Sequence, residues 1–104
     1  MKEKEKTLLE ETLKLVHQEK KCTYQVLINL KEIFRRRLYA ELGHSSLFKY
    51  LINELHYSES EAGIRISALK LMNMSEVAQE GIKSGALNLT NAAKIQYGIE
   101  QISR

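Results

Sequence analysis

Gly43-His44-Ser45-Ser46-Leu47-Phe48-Lys49-Tyr50, followed by Leu55-His56-Tyr57-Ser58-Glu59-Ser60-Glu61-Ala62, is the stretch on which the reading of this chain turns. Gly43 can take the left-handed conformation that ends a helix, and Ser45 or Ser46 can accept a backbone N–H at the start of the next one. Leu47, Tyr50, Leu51 and Leu55 recur at helical spacing up to His56-Tyr57. There Ser58, with Glu61 three residues on, forms a capping box for a further helix. The pattern predicts helix stop, short helix, three-residue turn and capped helix. That is a helix-turn-helix-like unit over residues 43–74, and it points toward nucleic acid.

Upstream, Thr7-Leu8-Leu9-Glu10 reads as a second capping box, opening a helix with Leu9, Leu13 and Val16 at i, i+4, i+7 that runs to about Lys20. Thr23 can cap the next helix, which carries Tyr24, Leu27, Leu30, Phe34 and Leu38 along one stripe and ends at Leu42-Gly43. A break near Lys21-Cys22 is expected. The alternative is one fused rod, because neither Pro nor Gly interrupts residues 7–42. Downstream the helices fall at 46–55, 59–73, 76–84 and 89–102, with Gly85 and Asn88 marking the last turn. Gly63 costs its helix roughly 1 kcal/mol against alanine, which suggests that a neighbouring helix comes close there. The fold class is all-α: one multi-helix domain of N-terminal helices (1–42), the helix-turn-helix-like unit (43–74) and C-terminal helices (75–104).

Composition agrees. The chain has 104 residues, 43% of them hydrophobic, and no proline, which suits a single helical domain with one modest core. The single cysteine, Cys22, excludes an intrachain disulfide and a cysteine-based zinc cluster. His17, His44 and His56 are isolated from one another, Glu41 with His44 being the one pair at a usable spacing, so no metal site and no cofactor are expected. Met1-Lys2-Glu3-Lys4-Glu5-Lys6 alternates charge and lacks the apolar core of a secretory signal. No run approaches a membrane span. A soluble, cytoplasmic bacterial protein is the expectation.

A net charge of +3 permits a nucleic-acid partner without requiring one. The excess is local. Residues 31–49 hold Lys31, Arg35, Arg36, Arg37 and Lys49 against Glu32 and Glu41. Guanidinium forks suit phosphate oxygens, so Arg35-Arg36-Arg37 reads as a phosphate-contacting patch; it reads equally as a solvated helix end whose cations complement the dipole. The second helix of the unit adds Arg65 and Lys70, while Glu59 and Glu61 stabilise its start and would repel phosphate. The candidate nucleic-acid contacts are therefore Arg35, Arg36, Arg37, Lys49, Arg65 and Lys70. Arg35, Arg36, Lys49 and Arg65 would grip the backbone, and Arg65 would set discrimination between sequences if it reaches a base edge. Tyr24, Phe34, Tyr39, Phe48, Tyr50, Tyr57 and Tyr97 are spread through the helices and read as core. No catalytic residue is assigned, because no phosphate loop, nucleophile elbow or His-rich metal pattern is present.

Arg37-Leu38-Tyr39-Ala40-Glu41-Leu42-Gly43-His44-Ser45-Ser46-Leu47-Phe48-Lys49-Tyr50, with Leu55, Ser58-Glu59-Ser60-Glu61-Ala62, Arg65-Ile66 and Gly85-Ala86-Leu87-Asn88-Leu89-Thr90, resembles the helical region that precedes the nuclease domain of a group of bacterial HNH endonucleases. The second half, from Ser58 to Met74-Ser75-Glu76-Val77 and Gly85-Ala86-Leu87-Asn88, is also similar to the DNA-binding segment of ParB-type partition proteins. The resemblance implies a DNA-binding module whose catalytic part lies outside these residues.

Two functions follow. The first is binding of double-stranded DNA, as the targeting part of a nuclease or as a small regulator. The second is a helical interaction module without DNA binding, with a homodimer through residues 7–20. The first needs Arg35, Arg36 and Arg37 with Lys49 or Arg65 on one exposed face. The second needs Leu9, Leu13 and Val16 left uncovered.

Overall fold

The computed structural model describes residues 1–103, and every regular element among them is helical: α1 (Glu3–Arg36), α2 (Leu38–Glu41), α3 (Leu47–Asn53), α4 (Glu59–Met74), α5 (Glu76–Ser84) and α6 (Leu89–Ile102). The all-α expectation holds. α1 settles the open question upstream, since it runs unbroken through Lys21-Cys22 as the fused rod. Thr7 and Thr23 do not cap helices. Their hydroxyls donate instead to the carbonyls of Glu3 and Glu19, one turn back inside α1. The start lies at Lys2, whose backbone N–H donates to the Glu5 carboxylate at 3.2 Å.

α1 also ends earlier than Leu42-Gly43. Arg37 takes a left-handed conformation (φ 55°) and its N–H closes the helix on the Phe34 carbonyl. An arginine is strained there. The compensation is packing, because the bend turns Tyr39 of α2 inward, where it is buried and stacks on Phe34 with ring centroids 6.4 Å apart. Gly43 (φ 90°) then stops the one-turn α2, as its sequence context suggests.

The remaining helices start where their capping residues stand. Ser46 accepts from the Lys49 N–H, Ser75 from Ala78 and Asn88 from Asn91. Ser58 accepts from the Glu61 N–H at 3.1 Å while its own N–H donates to the Glu61 carboxylate at 3.0 Å, completing the capping box. The connection between α3 and α4 is five residues, Glu54 to Ser58, not the three-residue turn expected, because α3 ends at Asn53 short of Leu55 and the chain turns through His56 at φ 61°.

α4 is the central strut. It packs most extensively on α6, then on α5, α3 and α1. Leu27 and Leu30 of α1, Leu47 and Leu51 of α3, Ala62, Ala68, Leu69, Leu71 and Met72 of α4, Ile82 of α5 and Ala92 of α6 close the core around it. Tyr24 fastens α1 to α5 by accepting a hydrogen bond from Gln79 at 3.3 Å. Gly63 has no neighbouring atom within 4 Å of where a Cβ would stand, so the close helix approach expected at that residue is absent.

Candidate functional site

A compact chain of this length has a radius of gyration of about 13 Å. This one has 16.5 Å, and its longest dimension is 54 Å. α1 is the cause: 34 residues at a rise of 1.5 Å make a rod about 51 Å long, and only its C-terminal half is docked. Residues 1–22 are all exposed. The docked half supplies the nucleus on which the free half propagates, and Lys, Glu, Gln and Leu carry the helix outward without tertiary support.

The free half is not polar all round. Leu9, Leu13, Val16, Lys20, Thr23, Leu27, Leu30 and Phe34 follow an unbroken alternation of four- and three-residue steps and so share one face. Along that face Leu27 and Leu30 are 0% and 1% exposed, while Leu9 and Leu13 are 56% and 61% exposed. Leu8 and Leu15 widen the bare part, and Val16 lies at its inner edge. One helical face is thus core at one end and open at the other. At the transition the Lys20 stem lies over Gly85 and borders a hollow lined by Thr23, Ile82, Leu87 and Leu89.

The six cations singled out from the sequence are divided. Arg35 is held by Glu32: its Nε donates to Oε2 at 3.0 Å and its Nη2 to Oε1. The bond from Arg35 keeps the exposed Glu32 carboxyl below its ordinary range and raises the guanidinium's own pKa. Arg65 lies over the Tyr57 ring, 4.2 Å from its centroid, and donates to the Glu61 carbonyl at 3.1 Å. Lys70 pairs with Glu100 at 3.7 Å. Arg36, Arg37 and Lys49 are exposed, with no acidic partner among the described residues.

Arg35 and Lys70 border two separate hollows that share Phe34, Leu69 and Asn73 as lining. Arg65 opens elsewhere. It faces a hollow with Glu19, Cys22 and Val26 of α1, on the far side of α4 from Lys70, as five residues of helix require. α4 itself offers little to a groove of DNA, since residues 62–69 are all buried or half-buried and its exposed first turn is Glu59-Ser60-Glu61.

His44 is more than a turn residue. Its Nε2 lies 3.0 Å from Glu54 Oε1, not beside Glu41, and its ring meets Tyr50 edge-on. No group of three metal-ligating side chains occurs among the described residues. Among the described residues, no helix is long and apolar enough to cross a membrane. Phe34 and Tyr97, read as core from the sequence, are 53% and 65% exposed, and the seat of Lys20 on Gly85 was not legible. The unbroken alternation from Leu9 to Phe34 was the available signal for the continuous face. Comparison with family models, with curated proteins and with solved structures finds no match.

Proposed function

We propose that this chain is a helical interaction module, docking a protein partner on the open face of the α1 arm. One observation carries the reading: Leu8, Leu9, Leu13 and Leu15 are each more than half exposed on a helix whose matching face becomes core at Leu27, more than three turns further on. Together with Val16 they expose on the order of 500 Å² of apolar surface, the size of the largest patch on a typical monomer and a mark of an interaction site. Set before an HNH nuclease domain, as the resemblance implies, such a module would join molecules rather than cut them. Selection of displayed helical peptides tests it. Amphipathic sequences should be enriched on the wild-type chain and lost on Leu9→Glu/Leu13→Glu; equal recovery on both would refute the arm as the docking face.

A second reading, binding of double-stranded DNA, is favoured by Arg36, Arg37 and Lys49, which keep their charge free for phosphate. Fluorescence anisotropy on a labelled duplex at low salt tests it. Arg36→Ala should weaken binding and reduce the steepness of the salt dependence by about one unit. No binding at low salt would eliminate it.

A further inference from the structure

We infer that the occupant of the arm is a second copy of this chain, laid antiparallel along residues 3–22 about a two-fold axis at Thr12-Leu13. The inference rests on the interaction-module reading and names its partner.

Three features of the arm lead there. From Thr23 to Leu30 the face that is bare at Leu9 and Leu13 is covered by the chain's own helices, and only Phe34 beyond them is open again. A second α1 running parallel would drive its own body into the first, whereas an antiparallel one carries its body away to the opposite end. The bare stretch, residues 1–22, has its apolar side chains grouped about its midpoint, with Lys2-Glu3-Lys4-Glu5-Lys6 on one side and Glu19-Lys20-Lys21 on the other. A two-fold interface must be self-complementary, and a centred apolar segment between charged ends is so by construction. In the register that sets Leu9 against Val16 of the second copy, Glu5 stands level with its Lys20. The tip of each arm then ends where the other body begins.

Charge and area support the same occupant. The arm carries Lys2, Lys4, Lys6, Lys14, Lys20 and Lys21 against Glu3, Glu5, Glu10, Glu11 and Glu19, so its side chains are nearly balanced, with one positive charge in excess, and it offers little field to a strongly charged partner. Two faces closing on each other bury at most about 1,000 Å², at the lower bound for a specific interface. The dimer is therefore reversible and concentration-dependent.

Cys22, the chain's single cysteine, is exposed at the base of the arm and serves as the probe. In the antiparallel dimer the two Cys22 residues are separated by about 30 Å, counting the rise along the helices and the gap between them. A spin label on Cys22, measured by pulsed dipolar spectroscopy at high protein concentration, should report that distance. Leu13→Glu places two like charges at the two-fold axis and should raise the dimer dissociation constant about a hundredfold. The body's unfolding midpoint should not move, because Leu13 is exposed. A Cys22 distance below about 15 Å, or ready disulfide linkage through Cys22, would mean parallel arms and overturn the inference. A monomer by light scattering at the highest attainable concentration would overturn it too. Amide exchange then separates the two levels. Fast exchange over residues 5–20 leaves the docking face intact for another partner; core-like protection there would mean that the arm is covered within one chain, and the interaction reading falls with the dimer.

Discussion

Leu13 and Leu27 lie fourteen residues apart on one face of one helix, and their replacement by alanine should have very different effects. Leu27 is fully buried against the body. Its truncation removes three carbons at about 0.8 kcal/mol each and leaves a cavity, for a loss of about 3 kcal/mol. Leu13 is 61% exposed, and Leu13→Ala in the monomer should stay within about 0.5 kcal/mol of wild type. Both substitutions change helix propensity equally, so the comparison isolates burial. Urea unfolding followed by tyrosine emission is the assay. The arm contains no tyrosine and the chain no tryptophan, so the signal reports the body. The measurement belongs at low protein concentration, where association cannot contribute, and the slope with urea should be unchanged in both variants. Equal losses from the two substitutions would refute the division of α1 into a docked half and a free half.

Ser58→Ala should cost about 1 kcal/mol, since the Glu61 N–H loses its acceptor; an unchanged circular dichroism melt would place the start of α4 elsewhere. The Glu61 carboxyl is held below its ordinary value of 4.5, first by the backbone N–H of Ser58 and then by its hydroxyl. A lowered folded-state pKa gives stability that is complete above the unfolded value and lost as pH falls through the folded one. Acid unfolding of wild type should therefore include a step below pH 4.5 that Glu61→Gln removes, read as a difference between the two pH–stability curves. Gly63→Ala should stabilise by up to about 1 kcal/mol, because the helix gains propensity and the Cβ meets open space. Gly85→Ala should destabilise by about 1–2 kcal/mol, since φ is 84° and the Cβ would press on the Lys20 stem at 2.9 Å; thermal melts check both.

The parts of this fold written in local chemistry were legible. Ser46, Ser58 and Asn88 announce their helices through a side-chain oxygen two or three residues from the donor it satisfies, and Gly43 and Gly85 mark stops through a backbone region that suits glycine. The misreadings share one cause. Thr7 and Thr23 have capping chemistry, yet a hydroxyl inside a continuing helix can donate one turn back, and only the course of the chain decides which occurs. The end of α1 at Arg37 carries no glycine or asparagine signal, because the bend is imposed by the burial of Tyr39. For the candidate site, the apolar stripe could be read from spacing, whereas its nakedness could not. Periodicity gives a face, and the extent of the body gives what covers it. The cations were legible as residues, while their engagements with Glu32, Tyr57 and Glu100 depend on neighbours that, apart from Glu32, lie on other segments.

The unbroken course of α1 makes the arm an angular gauge. With no glycine or proline between the bare leucines and the docked half, each residue fixes the next by 100° of rotation and 1.5 Å of advance. One residue inserted near Gln18 would swing Leu9 and Leu13 a quarter-turn away from the face they share with Leu27, although every side chain in the body stayed in place. Four inserted residues would bring them back to within 40° of their starting azimuth and move them about 6 Å farther out. The direction in which the bare leucines stand relative to the body is therefore set by the number of residues between the two halves as firmly as by their identity.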